Sequence, residues 1–418
     1  MSYSIIQQPE ENTLQYSNGE IISVVEQSDY DPDSPEWKDF KFWADVYVNG
    51  EKKVRLKSFP EPLTDKGVFN LKNIASAFTK WEYVFSSSDI FQQSPNSACE
   101  LQLYYGEERN NNGSWTSESQ ATGNTFISLN AAPWKDDAAL SQYVIDNYEK
   151  LFLNKAKELK TSAVFGDQYL FFYNKAGEYT PAAKIEICTF TNSVPGDWSS
   201  LKGIYRVDNS YSDASGVQCV NVGVNAMQKI NDESLYTKVY GDDSFFDSGV
   251  KRWNVCMIYS GAEKATDYVE IVLDTSCYRY PEPIIVYWLN NLGAFDQYIF
   301  NSKNIISTTK KAQSFTKQAG KLVGSSYVNN SYDQTKVNYF TELQDTIEIT
   351  ANWLSDDDVK LLKSLVMSPI VFFKGTDNVM YSASIDANDY KLSYRKFQKK
   401  YDLTLKLIPS TSYNSQLQ

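Results

Sequence analysis

The chain has 418 residues, 42% of them hydrophobic, 22% charged and 15% aromatic, which excludes wholesale disorder and asks for roughly two to four domains. It contains no histidine, so Ser-His-Asp and Cys-His nucleophiles and the commonest metal triads have no residues to be built from. A net charge of −12 and a pI near 4.8 disfavour general nucleic-acid binding, which needs clustered Lys and Arg.

The first residues, MSYSIIQQPEEN, carry neither a basic segment nor an apolar one, so no secretory signal is expected and the chain is expected to fold in the cytoplasm. Residues 1–125 read as an N-terminal β domain. Within it 41–49 (KFWADVYVN) alternates, setting Phe42, Ala44, Val46 and Val48 on one face. Asn49 and Gly50 supply the positive-φ pair of a tight hairpin, and 53–57 (KVRLK) returns. After Pro60 and Pro62, the segment opening at Gly67 (GVFNLKNIASAF) places Leu71, Ile74, Ala75 and Phe78 at helical spacing, with Asn70 as N-cap. A further strand, 99–105 (CELQLYY), ends at Gly106-Glu107-Glu108, and 110–113 (NNNG) is a loop tip.

Residues 126–309 read as a central β-rich domain with one helix. The helix is expected over 136–153, where Leu140, Tyr143, Val144 and Tyr148 form a stripe. Strands are expected at 168–173, 184–190, 216–224, 255–259, 268–273 and 284–289, separated by Gly, Asn, Asp and Ser turns, which points to sandwich or barrel packing. The densest local pattern is 277–300, CYRYPEPIIVYWLNNLGAFDQYIF: a strand ending at Trp288-Leu289, a turn over Asn290 to Gly293, and an aromatic strand beyond Asp296. Residues 310–338, rich in Lys, Gln, Ser, Asn and Thr, read as a linker or long loop. Residues 339–418 form a C-terminal α+β domain. Ser355-Asp356-Asp357-Asp358 opens its helix like a capping box, the helix stops near Ser368-Pro369, and three strands follow, the last (401–407, YDLTLKL) cleanly alternating. The fold class expected is mainly β: several antiparallel sandwich or barrel-like domains with a few short helices.

Chemistry is hard to find in this pattern. Five cysteines at 99, 188, 219, 256 and 277 contain no CxxC pair, so they read as buried apolar groups in a reducing compartment, neither a zinc site nor a disulfide scaffold. There is no GxxxxGK[ST] or GxGxxG for phosphate, and no cofactor is expected. Asp29 to Asp33 and Asp242 to Asp247 concentrate oxygens without the EF-hand spacing and read as solvated loops. The basic run 391–400 reads as a solvated strand edge. Asn112-Gly113-Ser114 forms a sequon that has no bearing without secretion. No segment has the ~20 apolar residues that cross a membrane as a helix. The chain therefore reads as a non-enzyme. A two-carboxylate glycosidase is the enzyme reading still compatible with 52 acidic residues, since it needs only two of them.

The 277–300 segment resembles an element of structural tail-region proteins of phages and prophages of Bacteroidota, crAss-like phages among them: Cys-x-x-Tyr leading to (W/F)LN-x-x-G-(A/G)-(W/F)-D. The matching residues are Cys277, Tyr280, Trp288, Leu289, Asn290, Gly293, Ala294, Phe295 and Asp296. The 44–62 hairpin with GVFNLKNI from Gly67, the Tyr105-Gly106-Glu107-Glu108 element, and Trp353-Leu354-Ser355 with Ser368-Pro369 are similar to other blocks of the same family, in the same order. Asn291 departs from the usual basic residue, and Arg109-Asn110 from the usual aromatic or glycine. The resemblance implies a virion component of a tail hub, ring or baseplate, assembled in the host cytoplasm as a homo-oligomer. Its neighbours would be other tail or portal-adjacent proteins, and it would carry no catalytic residues. A receptor- or carbohydrate-binding virion protein, with exposed aromatics stacked on glycan, is the competing expectation.

Overall fold

A computed structural model gives the structure of the protein; it describes residues 3–82, 89–111, 113–135, 138–145, 150–161, 166–175, 182–273, 283–375, 377, 379–386, 391–395, 400–411 and 413–414. The fold is mainly β, built from several separate antiparallel and mixed sheets with short helices. The chain groups into two units, Met1–Thr275 with Leu289–Asp296, and Ser276–Trp288 with Gln297–Gln418. The boundaries expected at 125/126, 309/310 and 338/339 do not coincide with this division.

The first unit begins with two sheets across one core. The Lys41–Val48 and Glu51–Ser58 strands form the expected hairpin, with Asn49 and Gly50 at φ 50° and 80°. Lys41–Val48 also pairs with Ala98–Asn111, which continues into Ser114–Leu129, while Leu14–Tyr16 closes that five-stranded sheet in parallel. Phe42, Ala44, Val46 and Val48 are all buried, as the alternation requires, and meet Leu101, Leu103, Tyr105 and Phe126. The opposing layer is the sheet of Tyr3–Gln7, Ile22–Gln27 and Gly67–Asn70, which contributes Val25 and Phe69, with Leu71 and Ala75 of the following helix. Each Val, Leu or Phe side chain taken out of water in this way contributes about 1.5–3 kcal/mol. The helix is Lys72–Phe78, and its N-cap position is Leu71 rather than Asn70. Asn70 still serves the helix start, because its Oδ1 accepts the Lys72 N–H at 3.0 Å.

Two more sheets complete this unit: Val144–Ile145, Tyr169–Asn174, Gly216–Asn221 and Phe91–Ser94 in one, and six strands around Ala182–Phe190 and Arg252–Tyr259 in the other. The helix expected over 136–153 does not form in the described part. Leu140–Tyr143 is a single 3-10 turn, and Val144–Ile145 pairs in parallel with Tyr173–Asn174. Leu140, Tyr143 and Val144 of its apolar stripe are buried (Tyr148 lies outside the described residues), but the backbone is claimed by distant partners: Leu153 N–H donates to the Phe171 carbonyl and Lys150 N–H to the Ala265 carbonyl. A β-branched pair at Val144-Ile145 suits that pairing better than a helix. Conversely, the strand expected at 216–224 stops at Asn221 and gives way to the helix Val224–Asp232, whose Val224, Met227 and Ile230 are buried on one side.

The second unit is a nine-stranded sheet with the helix Asp356–Met367 against it. Its strands include Ile284–Leu289, Phe295–Phe300, Ile305–Thr316, Lys336–Leu354 and Lys400–Pro409. Leu403, Leu405 and Leu407 are buried in alternation, as expected of 401–407. The linker expected at 310–338 is instead part of a long hairpin: Ile305–Thr316 pairs with Lys336–Leu354, and the intervening chain makes a small ladder of Lys321–Val323 with Ser326–Val328. Polar composition concealed it, because a ladder needs only backbone N–H and C=O groups and no buried face.

Candidate functional site

The turn singled out in the sequence is a buried polar knot in the first unit. Asn290 closes the turn on itself: its N–H donates to the Ala294 carbonyl (2.8 Å), and its Oδ1 accepts from the Leu292 and Ala294 N–H groups (2.9 and 3.1 Å). Its side-chain amide donates to the Leu153 carbonyl (2.9 Å) and to Asp296 Oδ2 (3.0 Å). Asp296 Oδ1 accepts the Lys155 N–H (3.0 Å) and the Asn154 amide (3.3 Å). Burial pushes the Asp296 carboxyl up to about 6 in spite of these donors. Gly293 is required here: its φ is +81° and an added Cβ would lie 2.2 Å from the Asn130 carbonyl oxygen. Asn291, the departure from the family pattern, exchanges two bonds with Ala132, its side chain donating at 3.0 Å and its carbonyl accepting at 2.7 Å. These polar contacts of Asn290, Asn291 and Asp296 tie the turn to the chain at Ala132, Leu153, Asn154 and Lys155.

In the second unit Trp288 is fully buried and donates from Nε1 to Ser364 Oγ (2.8 Å), fixing its strand to the helix. Ser355 and Asp358 make the expected capping box, with the Ser355 Oγ accepting the Asp358 N–H (3.1 Å) and the Asp358 carboxylate accepting the Ser355 N–H (2.9 Å). Pro369 follows the C-cap Ser368 and leads into Val371–Lys374. Cys277 and Tyr280 lie outside the described residues. The four described cysteines, Cys99, Cys188, Cys219 and Cys256, are buried, and burial raises all four thiols, Cys99 to about 12 and Cys188 to about 11.

Of the remaining motif residues in the first unit, Glu108 lines a surface cleft and Gly67, Gly106 and Glu107 serve the packing of the sheets. Gly106 leaves room for Trp43: an added Cβ would lie 2.2 Å from both the Trp43 ring and the Glu118 carbonyl. Gly67 is likewise covered by the Phe42 ring. Glu107 turns to the core side, where Gln27 donates to it (2.9 Å), and burial raises its carboxyl above the usual range. Glu108 turns the other way, pairs with Lys57 (2.8 Å), and lines a shallow cleft of about 280 Å³ with Lys41, Trp115, Thr116 and Ser117. Lys41 lies over the rings of Phe59 (5.0 Å) and Trp115 (5.4 Å), and Trp115 is 55% exposed. Alongside, Arg55 stacks on Trp43 (3.8 Å) and pairs with Asp45. Burial raises the Asp45 carboxyl, but hydrogen bonds from Arg55 and Lys52 outweigh it and hold the group below its ordinary value.

A surface anomaly is the hairpin that covers the segment expected as a linker. All twelve residues of Ile305–Thr316 are exposed, as are both short strands at its tip. Its exposed apolar side chains include Ile306 (61%), Phe315, Leu322 (71%), Val323, Tyr327 and Tyr332 (82%). A two-stranded ribbon without a packed face is marginal by itself. This one is held by its backbone ladder and a few side-chain bonds, such as Thr308 to Asp345 and Tyr339 to Gln313, both 2.6 Å. Ile305–Thr316 is also the end strand of its sheet, and among the described residues no strand pairs with its far edge. An open edge beside exposed apolar side chains is an association surface in chemical terms.

Among the described residues no group of three or more carboxylates or thiols is placed to hold a metal ion, and no helix is long and apolar enough to cross a membrane. Asp243 pairs with Lys238 and Asp247 with Lys202, which accounts for two carboxylates of the 242–247 cluster. No protein-family model matches the chain, and no curated protein matches it either.

Proposed function

We propose that the protein is a structural component of a bacteriophage tail, in a hub, ring or baseplate layer, that acts by symmetric assembly. The observation that carries the assembly reading is the exposed part of the hairpin, 305–341: an open β edge with large apolar side chains has no work to do in an isolated chain and is a hazard there. The tail assignment adds the resemblance of the knot, hairpin and capped-helix blocks to tail-region proteins. In this reading the knot residues and Gly106 keep the sheets in shape, and the work is done by surfaces. A heterologous interface repeated around an axis closes a ring. Light scattering at micromolar concentration is expected to give a mass several times 47.6 kDa, with rings by negative stain. A monomer that also fails to bind the neighbouring tail proteins would overturn the proposal.

A second reading has its own observation. Trp115, exposed beside Lys41, Lys57 and Glu108, offers a sugar ring a flat apolar face flanked by hydrogen-bonding groups. A carbohydrate-binding virion protein would bind host surface polysaccharide on a glycan array and lose that binding in Trp115→Ala; silence of the intact protein on such an array counts against it.

A further inference from the structure

We infer that the 305–354 hairpin is an arm whose occupant is a second copy of this same chain, engaged through the arm's open edge, its apolar side chains and its charge. The inference rests on the assembly reading above and names the partner.

Charge selects the partner. Between residues 305 and 354 five lysines (Lys310, Lys311, Lys317, Lys321 and Lys336) stand against four acidic residues (Asp333, Glu342, Asp345 and Glu348), for a net +1; the largely exposed part, 305–341, holds all five lysines with Asp333, for a net +4. The whole chain carries −12, so everything outside the hairpin carries −13. The basic exposed part of the hairpin, on an otherwise acidic chain, is complementary to another copy of that chain, and complementarity of this kind steers encounter and sets register. The five lysines are exposed along with the apolar residues between them. Once docked, those apolar side chains supply the area that ion pairs at a rim do not.

The backbone favours the same occupant. The free edge of Ile305–Thr316 can accept a strand, and the sheet that contains it ends on its other side in Phe295–Phe300. A closed ring needs two different surfaces on each copy, one giving and one receiving. A basic arm and an acidic remainder meet that requirement within one sequence. Lys310 and Lys311, adjacent on the edge strand, point to opposite faces of the ribbon, so charge guards both faces against pairing with an identical arm. The arm is thereby directed toward an acidic surface of its neighbour.

The test uses the full chain. Self-association is measured by analytical ultracentrifugation at 50 and 500 mM salt, beside the charge-reversed variant K310E/K311E/K317E/K321E and the apolar variant I306S/L322S. Circular dichroism and thermal melting establish that both variants fold. The expected results are at least ten-fold weaker association of the parent chain at high salt, and at least ten-fold weaker association of each variant at low salt. A photo-crosslinking residue at position 332 is expected to join labelled to unlabelled copies at acidic segments outside the arm. If oligomers form but neither folded variant weakens them, the arm is not the interface and the inference falls while the assembly reading stands. If the chain is monomeric and the position-332 probe reacts only with another tail protein, the occupant is that protein and the inference falls alone. A monomer that also joins no tail protein removes both.

Discussion

A carboxylate taken fully out of water leaves a mark on the pH dependence of stability. Asp296 titrates near 6 in the folded protein against 3.8 ordinarily, with burial as the main cause. Its folded value is raised, so its contribution to stability is complete below about pH 4 and is lost as the pH rises through about 6. A shift of that size corresponds to about 3 kcal/mol. Asp296→Asn removes the titration while keeping the shape. In urea unfolding at pH 4, 5, 6 and 7, the parent is expected to lose stability relative to Asp296→Asn as the pH rises; parallel profiles would show that the carboxyl does not titrate in this window. Gly106→Ala tests packing at the same scale. With a carbonyl oxygen and an indole ring each 2.2 Å from the new methyl, a loss of about 3 kcal/mol is expected in thermal melts.

At the scale of elements, signals that reside in a few adjacent residues were readable in the sequence, and signals that reside in distant pairing were not. The Asn49-Gly50 turn and the Ser355 capping box are local chemistry, and both form as expected. Ser355→Ala should cost about 1 kcal/mol, read as a lower urea midpoint with unchanged slope, since it removes an acceptor for the Asp358 N–H. In its described part the stripe over 136–153 carried a true signal of burial and a false one of helix, because periodicity does not reveal that Phe171 and Ala265 compete for the backbone. The helix Val224–Asp232 escaped notice because its buried Val224 continues the apolar run of the preceding strand. For the candidate surface the failure is more instructive. A segment without apolar alternation was read as a linker, yet its lack of a buried face is the property that makes it an arm. The sequence names Asn290, Gly293 and Asp296 as a turn; that they lock onto Leu153, Asn154 and Lys155 required the fold.

For the molecule as a whole, the arm should behave as the part with the least local stability and the most to gain from a partner. Few side chains shield its ladder, so local opening costs far less free energy than unfolding of either core. Its exposed lysines make that opening visible to trypsin, which cuts after Lys317, Lys321 and Lys336 once the ribbon frays. Dilution to nanomolar concentration populates the free chain, and the first cuts are then expected within 317–336, ahead of any in the buried sheets. At concentrations where the chain assembles, a neighbour covering the arm should slow those cuts by the fraction of arms occupied, about ten-fold when nine in ten are bound. Mass spectrometry of the first fragments at the two concentrations reads the outcome directly. Equal cutting rates in the dilute and assembled protein would mean that assembly leaves the arm open, and would shift the search for its interface to the Trp115 cleft and the remaining exposed aromatic surface.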